Sequence, residues 1–546
     1  MAATSSREER HNVVDKNVFL RGARLARDPT DTAGLPETEQ KTVEKEREKG
    51  IFQQTKDLRV TILVTACAAI TQGWQQSSIN ASSHRWQEDM GGIEYWENRR
   101  LRAGLTDALP WISGSLIGTW LSDPLQEGRY GRRRALFISG IFCTAFALGS
   151  AKCDTWIQLL ICRLLLGFGI GAKASVAPVF AAEAAVDYLR GRLLMMWQLF
   201  DAFGIFVGFV CVFIVDMHWR IILGSAAVPS TVLLFLVFLC PESPRFLIRK
   251  SLYKEAFESL RQLRGSDIQA CRDLYYIHSQ LQFESSRRME LDNEEWLEGE
   301  IYQSKELADT TFLKRVKSLW SIPHNRRACL AAFIVMASQQ LCGGDRGTEG
   351  EGDATRIAWL NFGFGLANFL FTIPAYWVID GSRSKGRRRL LLWSLGGMFF
   401  TLIAISSCFL RRDDSVRRGL VTFFTIVVYL FFYGIGAGPV PFTFSAEVFP
   451  LAFREVGMSF SVMVNFLGLG LLVNFVPAIT HAFNPDIPGT STPDETGYES
   501  YSKGKAILLF IFTGLDALAF ILVFLVVPNT GGITLEDMSY VCENSH

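Results

Sequence analysis

The spacing of apolar stretches constrains this chain more than anything else. Near-continuous runs begin at Arg59, Leu105, Ala135, Trp156, Leu193 and Ile221, and again at Arg327, Ala358, Leu390, Leu420, Gly457 and Ala506. A bilayer core takes roughly 20 apolar residues per helix. Backbone in lipid must satisfy its own hydrogen bonds, which leaves helices as the structure for such segments. The pattern is six spans, a polar stretch from Pro241 to Asn325, and six more spans. Composition agrees: 49% of the 546 residues are hydrophobic, Phe alone occurs 42 times, and 20% are charged, below the roughly 25% of soluble domains. An all-α membrane protein is predicted, with 12 transmembrane helices in two six-helix bundles. Residues 1–58 read as a disordered cytosolic tail, 59–240 as the first bundle, 241–325 as a cytosolic loop with short amphipathic helices, 326–527 as the second bundle, and 528–546 as a second cytosolic tail.

Positive charge orients the spans. The loop after span 2 carries "GRYGRRR" and the loop after span 8 carries "SRSKGRRR". Both lie on the side of the central loop and of both termini, so that side is the cytosol. In the central loop, "YKEAFESLRQLRG" places Ala256, Leu260 and Leu263 on one face of a short surface helix.

Several function classes drop out. Net charge is +1, with no basic stripe for nucleic acid. No nucleophile elbow, phosphate loop or metal spacing stands out, so neither an enzyme nor a cofactor is expected. The 11 cysteines lie mostly within apolar runs and form no C-x-x-C pair, which reads as packing rather than a disulfide framework. The expected partners are a small-molecule substrate and the lipid bilayer, with the chain as a monomer.

Two halves repeat. "SDPLQEGRYGRRR" after span 2 matches "IDGSRSKGRRR" after span 8, and "AEAAVDYLRG" after span 4 matches "AEVFPLAFREVG" after span 10. An acid at a helix end followed by an Arg-rich loop can build an ion-pair latch that closes the bundles on the cytosolic side. Its candidate members are Asp123 with Arg132 and Arg133, Asp380 with Arg387 and Arg388, and the pairs Glu183/Arg190 and Glu447/Arg454. "CPESPRFLIRK" adds Glu242 and Arg245 where Pro241 and Pro244 stop span 6.

With "RLLLGFGIGA", "PESPR", "SQQLCG" and "GPVPFTFSAEVFPLAFREVG", these motifs resemble the sugar porters of the major facilitator superfamily over about residues 55–540. "TQGWQQSSINASS" and "GIGAKASVAP" are similar to a fungal subgroup. The resemblance implies alternating access to one central site for a monosaccharide or polyol, with plasma membrane the default location. A sugar needs convergent amides and hydroxyls against an aromatic wall. The family's positions fall on Gln198 in span 5, Gln339 and Gln340 in span 7, Asn368 in span 8 and Phe442 in span 10.

The family pattern breaks in two places. After Gln340 the chain runs "LCGGDRGTEGEGDATRI" where the family carries an Asn and an apolar half-helix with a Tyr-Tyr pair over the sugar. Each ionised side chain there would cost about 2.5–3.5 kcal/mol at a helix centre, so Gly344–Ile357 is not a membrane half-helix. Either the outer gate is missing, or the segment is a gene-model error such as translated intron, and its abrupt start against an intact motif fits the second better. Span 1 has Gly73-Trp74-Gln75 where proton-coupled members place an Asp opposite the span-4 Arg, here Arg163. Gln75 does not titrate, so this route of proton coupling is lost and facilitated diffusion is expected. Phe442 replaces a Trp, and Phe466 and Leu469 stand where span 11 commonly has Trp and Asn. A decayed or mis-spliced copy and a non-transporting nutrient sensor are the alternatives, the sensor disfavoured by the eight residues after Met538. Lys173 and Asp201, both inside spans, read as a mutual salt bridge or a lysine reaching the interface. The sequon at Asn80 lies too close to the membrane for glycosylation.

Overall fold

The computed structural model describes residues 16–28, 35–48, 50–90, 99–127, 131–215, 218–292, 312–342, 354–379, 386–411, 413–450, 453–483 and 495–528. Among these, every regular element is helical. A helix lies at each of the twelve expected places, labelled α1 to α12 here. α1 is Lys56–Asp89, α3 is Gly131–Ala151, α4 is Trp156–Ala184 and α5 is Arg190–Ile214. α2 runs Arg99–Ser113, widens through Gly114–Gly118 and continues over Thr119–Glu127. α6 is Trp219–Leu239, α7 is Pro323–Leu341 and α8 opens with Ala354–Thr372. α9 is Gly386–Phe409, α10 reaches from Asp414 to Val448, α11 is Arg454–Ala482 and α12 is Glu495–Val526. Nine of the described helices, α3–α6 and α8–α12, are long and apolar enough to cross a membrane. The other three are the most polar. α1 holds Gln72, Gln75 and Gln76; α2 holds Asp107 and Asp123; α7 carries Arg326 and Arg327 near its start and Gln339 and Gln340 near its end.

The chain forms two compact units. The larger spans residues 63–182, 189–237 and 312–546. Within it, α2 packs on α11 and α5 on α8, α9 on α12, and α7 on both α11 and α12. The first two contacts join the halves, and they are equivalent: moving six helices along carries α2 to α8 and α11 back to α5. Small residues permit close approach between helices. A Cβ on Gly171 of α4 would sit 2.2 Å from the Gly114 carbonyl of α2, and one on Gly204 of α5 would sit 2.4 Å from the Ile70 carbonyl of α1.

The smaller unit spans residues 1–62, 183–188 and 238–311. The segment read as disordered contains Lys16–Arg27 and Glu37–Glu44, both helical. Lys16–Arg27 packs along Asp267–Asp292, with Leu25 only 1% exposed and Gly22 against Cys271. The expected surface helix is Tyr253–Arg264, with Ala256, Leu260 and Leu263 buried, and it stops at Gly265, whose φ of 76° suits glycine. Arg264 and Arg272 clamp Asp273 at 2.7 and 2.9 Å, and Arg272 also holds Glu46 at 2.8 Å.

Of Gly344–Ile357, residues 344–353 lie outside the described residues, as does Asp380. Ala354–Ile357 form the first turn of α8.

Candidate functional site

Gln339, in the last turn of α7, is 7% exposed and uses both ends of its amide. Its Nε2 donates to the Tyr433 hydroxyl and to the Gly438 carbonyl of α10, each at 3.2 Å, and its Oε1 accepts from Asn465 Nδ2 of α11 at 2.7 Å. Gln198 of α5 reaches the same place, its Cγ 3.3 Å from where a Cβ on Gly438 would stand. Gly438 is thus the point where α5, α7 and α10 meet. Gln340 turns the other way, against Gly468 of α11. Phe442, 4% exposed, faces Trp197 of α5 with ring centroids 5.8 Å apart. Phe442 brings no N–H, but Trp197 brings one, and its Nε1 has no hydrogen-bond partner among the described residues.

Asn368 of α8 is 3% exposed, and among the described residues its Oδ1 accepts no hydrogen bond. Gln75 Nε2 and Gln72 Oε1 of α1 are in the same condition. Buried polar atoms in this state call for an explanation. Between α1, α5 and α8 lies a cavity of about 20 Å³ lined by Gln76, Ser77, Asn80, Ile205, Phe209 and Asn361.

Tyr433 and Asn465 were not among the expected site residues. Asn465 sits one place before Phe466, where the span-11 pattern looked broken, and its amide does reach the cluster.

Arg163 is 1% exposed and holds a carboxylate, but from α2 rather than α1: its Nη1 donates to Asp107 Oδ1 at 2.7 Å. Trp86 Nε1 of α1 donates to the same oxygen at 3.3 Å, and Ser83 Oγ bonds Oδ2. Asp107 escaped the sequence reading because it lies in a polar stretch near the start of span 2 and outside any motif.

Among the described residues Lys173 makes no direct ion pair with Asp201, although the Asp201 charge lies near it. Its ammonium, wholly buried, donates to the Ala68 carbonyl of α1 at 2.9 Å. A lysine this deep cannot reach the interface, so a backbone acceptor on the adjacent helix takes the charge.

In the larger unit, several of the expected latch residues are paired at helix ends. Arg132 binds Glu455 of α11, and Arg387 binds Glu447 of α10. Asp123 accepts from Arg315 of the Phe312–Ser321 helix at 2.6 Å. Glu455 directly follows Arg454 in "REVG", and neither it nor Arg315 was expected. Arg133 donates to the Val237 carbonyl at 3.2 Å, Arg388 to the Phe524 carbonyl, and Arg454 to the Phe449 carbonyl at 3.5 Å. In the smaller unit, Ser243 Oγ donates to Glu183 at 2.5 Å, Glu242 accepts from the Ser243 N–H at 2.9 Å, and Arg245 is buried. Arg190 is buried at the start of α5.

A family model described as "Sugar (and other) transporter" matches residues 61–542. Putative polyol transporter 1 of Arabidopsis thaliana is 28% identical over 453 residues, covering 78% of this chain and 80% of that protein. Myo-inositol transporter 1 of Saccharomyces cerevisiae is 26% identical over 449 residues, covering 76% and 68%. Among solved structures, the major facilitator superfamily proton:xylose symporter XylE bound to 6-bromo-6-deoxy-D-glucose superposes with a TM-score of 0.71 at 18% identity, over 89% of this chain and 98% of that one. The partially occluded, inward-open xylose transporter XylE from E. coli gives 0.64 at 16% identity, over 88% and 100%.

Proposed function

This chain belongs to the sugar (and other) transporter family, a family of multi-pass membrane transporters with the major facilitator fold, not of enzymes, and from that premise we propose that it carries a monosaccharide or polyol by alternating access. The reading takes residues 59–240 and 326–527 as two six-helix bundles of 12 crossings in all, with both termini in the cytosol, working as a monomer in the plasma membrane. The observation that carries it is the cluster around Gly438, where Gln339, Asn465 and Tyr433 meet Gln198 beside the Trp197–Phe442 wall. Unpaired buried atoms on Trp197, Asn368 and Gln75 offer donors and acceptors that a polyhydroxylated ligand satisfies. Gln340, turned toward α11, supports that helix instead.

The ion pairs of Arg132, Asp123 and Arg387 form the cytosolic latch, with Arg133, Arg388, Glu183, Arg190, Glu242, Arg245, Glu447, Arg454 and Asp380 as its further members. Helix α1 taken alone favours facilitated diffusion, since Gln75 does not titrate; the carboxylate held by Arg163 reopens the question.

The purified chain in liposomes should take up D-xylose or myo-inositol saturably, each inhibited by other polyols. Correctly folded protein that moves no five- or six-carbon sugar or polyol would sink the reading. One observation favours an impaired copy: α7 ends at Leu341, and the following run is too polar to extend it through lipid. Sequencing the spliced transcript across Gln340–Gly363 decides this. A message encoding an apolar half-helix there restores an ordinary transporter; one matching the present sequence predicts leaky, low-affinity uptake.

A further inference from the structure

Asp107 is an acid inside a membrane-spanning bundle, and three helices converge on it. Arg163 of α4 donates to Oδ1 at 2.7 Å, Trp86 of α1 donates to the same oxygen at 3.3 Å, and Ser83 of α1 bonds Oδ2. Both ions are almost dry: Asp107 is 8% and Arg163 1% exposed. Arg163 keeps donors in reserve, since its Nε and Nη2 have no partner among the described residues. One turn before Asp107, Gly104 touches the other half of the molecule: a Cβ there would meet Asn474 Oδ1 of α11 at 3.0 Å. The carboxylate therefore lies beside the α2–α11 seam that joins the halves.

We propose that Asp107 is the proton-binding group of this transporter, placed on α2 where α1 offers only Gln75. The carboxylate has two exclusive partners, the Arg163 guanidinium or a proton from water. When it takes the proton it becomes a neutral acid, and Arg163 is left charged. An uncompensated buried cation is strongly unfavourable, so protonation requires the outer ends of α1, α2 and α4 to rearrange and Arg163 to find new acceptors. The change falls on a seam that alternating access must open and close. No covalent bond breaks; one proton moves from water to Asp107 and leaves on the other side.

The groups facing Asp107 allow this assignment. Helix α4 presents Arg163, with the Cys153 and Cys162 thiols 3.8 Å from each other beside it. Helix α1 presents Ser83 and Trp86, neither of which titrates near neutral pH, and Asn474 of α11, also non-titrating, lies against Gly104 one turn away. On α2 itself, Arg102 leans over the Trp156 ring with its charge 5.7 Å from the centroid. Lys173, bonded to Ala68, lies ten residues beyond Arg163 on α4.

The inference rests on the transport reading, and its test separates the two. Liposomes holding the purified chain and a pH-sensitive dye receive D-xylose or myo-inositol. Wild type should acidify the lumen, as the enclosed dye reads it, while sugar enters. An acid-outside gradient of one unit should accumulate sugar up to about tenfold. Asp107→Asn should lose both effects. Asp107→Glu, which keeps a titratable acid, should retain proton movement with a displaced pH midpoint. Sugar uptake without proton movement in wild type, or proton movement that survives in Asp107→Asn, overturns the inference. If neither sugar moves, the transport reading fails for these probes, and infrared spectroscopy still decides on Asp107. The acid-minus-neutral spectrum of the detergent-purified wild type, less that of Asp107→Asn, cancels the other carboxyls and should leave one protonated-carboxyl band. A double difference without that band refutes the assignment.

Discussion

Gln339 shows how one amide can organise a site. Its two donors and one acceptor engage α10 and α11 at once, so truncation leaves Asn465, Tyr433 and the Gly438 carbonyl short of partners. A buried group deprived of its bond costs about 1–3 kcal/mol, or between a few-fold and about a hundredfold in affinity. Gln339→Ala should therefore raise KM for the transported sugar by on the order of tenfold, read from uptake kinetics normalised to protein in the membrane. Trp197→Phe separates stacking from donation. It keeps the ring against Phe442 and removes the unpaired N–H, so KM should rise by a smaller factor while thermal stability is unchanged. Unaltered KM in both variants would move the site away from Gly438. Motifs assign Gln339, Gln198 and Asn368 their helices, and the structure brings Gln339 and Gln198 together at Gly438. Asn465, Tyr433 and Asp107 were not legible in the sequence, since a polar residue in an apolar helix declares its partner only when the neighbouring helix is in place.

Among the helices, α7 carries the largest anomaly, because it ends at Leu341 with Gln339 and Gln340 in its last turn. The last carbonyls of any helix lack partners within it. Here the Tyr429 hydroxyl of α10 donates to the Cys342 carbonyl at 3.0 Å, and the Cys342 thiol reaches Asp516 of α12 at 3.2 Å. Tyr429→Phe removes one such bond at nearly constant volume, costing about 1 kcal/mol. It should lower the melting temperature and raise KM together, because Gln339 and Gln340 sit on the loosened turn; a change in stability alone would show the tie to be unrelated to the site. In the smaller unit, burial pushes the Asp273 carboxyl up, but Arg272 and Arg264 outweigh it and hold the group down at about 2. A depressed folded value means that its contribution is present above the ordinary carboxylate value near 4 and is lost as pH falls toward 2. Asp273→Asn should speed hydrogen exchange in Tyr253–Arg264 and Asp267–Asp292 at neutral pH, while α8 to α12 stay protected. The apolar runs announced the helices themselves, and their period marked Tyr253–Arg264 as amphipathic. Lys16–Arg27 is at least as amphipathic as Tyr253–Arg264, but the tail's polar, charged composition hid its period; Leu25 and Gly22 lie on the buried stripe, Gly22 against Cys271.

The two halves repeat in sequence, yet their latches are not equivalent. Aligning Glu183/Arg190 with Glu447/Arg454 places Gly191 opposite Glu455. The second half therefore supplies an acid that the first lacks, and Arg132, at the start of α3, spends its charge on it beside the α2–α11 seam. Two more bonds reinforce the same seam, Ser122 with Ser459 at 3.1 Å and Trp120 Nε1 with the Met463 sulfur at 3.3 Å. The α5–α8 seam is lined by Phe203, Phe206, Phe362 and Phe369, with Arg192 over the Tyr376 ring near its Arg-rich end. Parting the Arg-rich ends of α2 and α11 thus has to break a dry ion pair. Removing one partner from such a pair is worth about 3–5 kcal/mol, enough to move a conformational equilibrium by two orders of magnitude or more. Arg132→Glu should leave the cytosolic ends of α2 and α11 apart, seen as faster alkylation of a cysteine placed at Ser459, and should slow net uptake. The reciprocal Glu455→Arg should do the same. The double variant restores an opposite-charge pair with its order reversed, and it should recover slow alkylation and most of the uptake, the coupling that a double-mutant cycle isolates. If the double variant is as open as either single one, the pair serves local folding of the α11 start, and the barrier to cytosolic opening lies elsewhere on the seam.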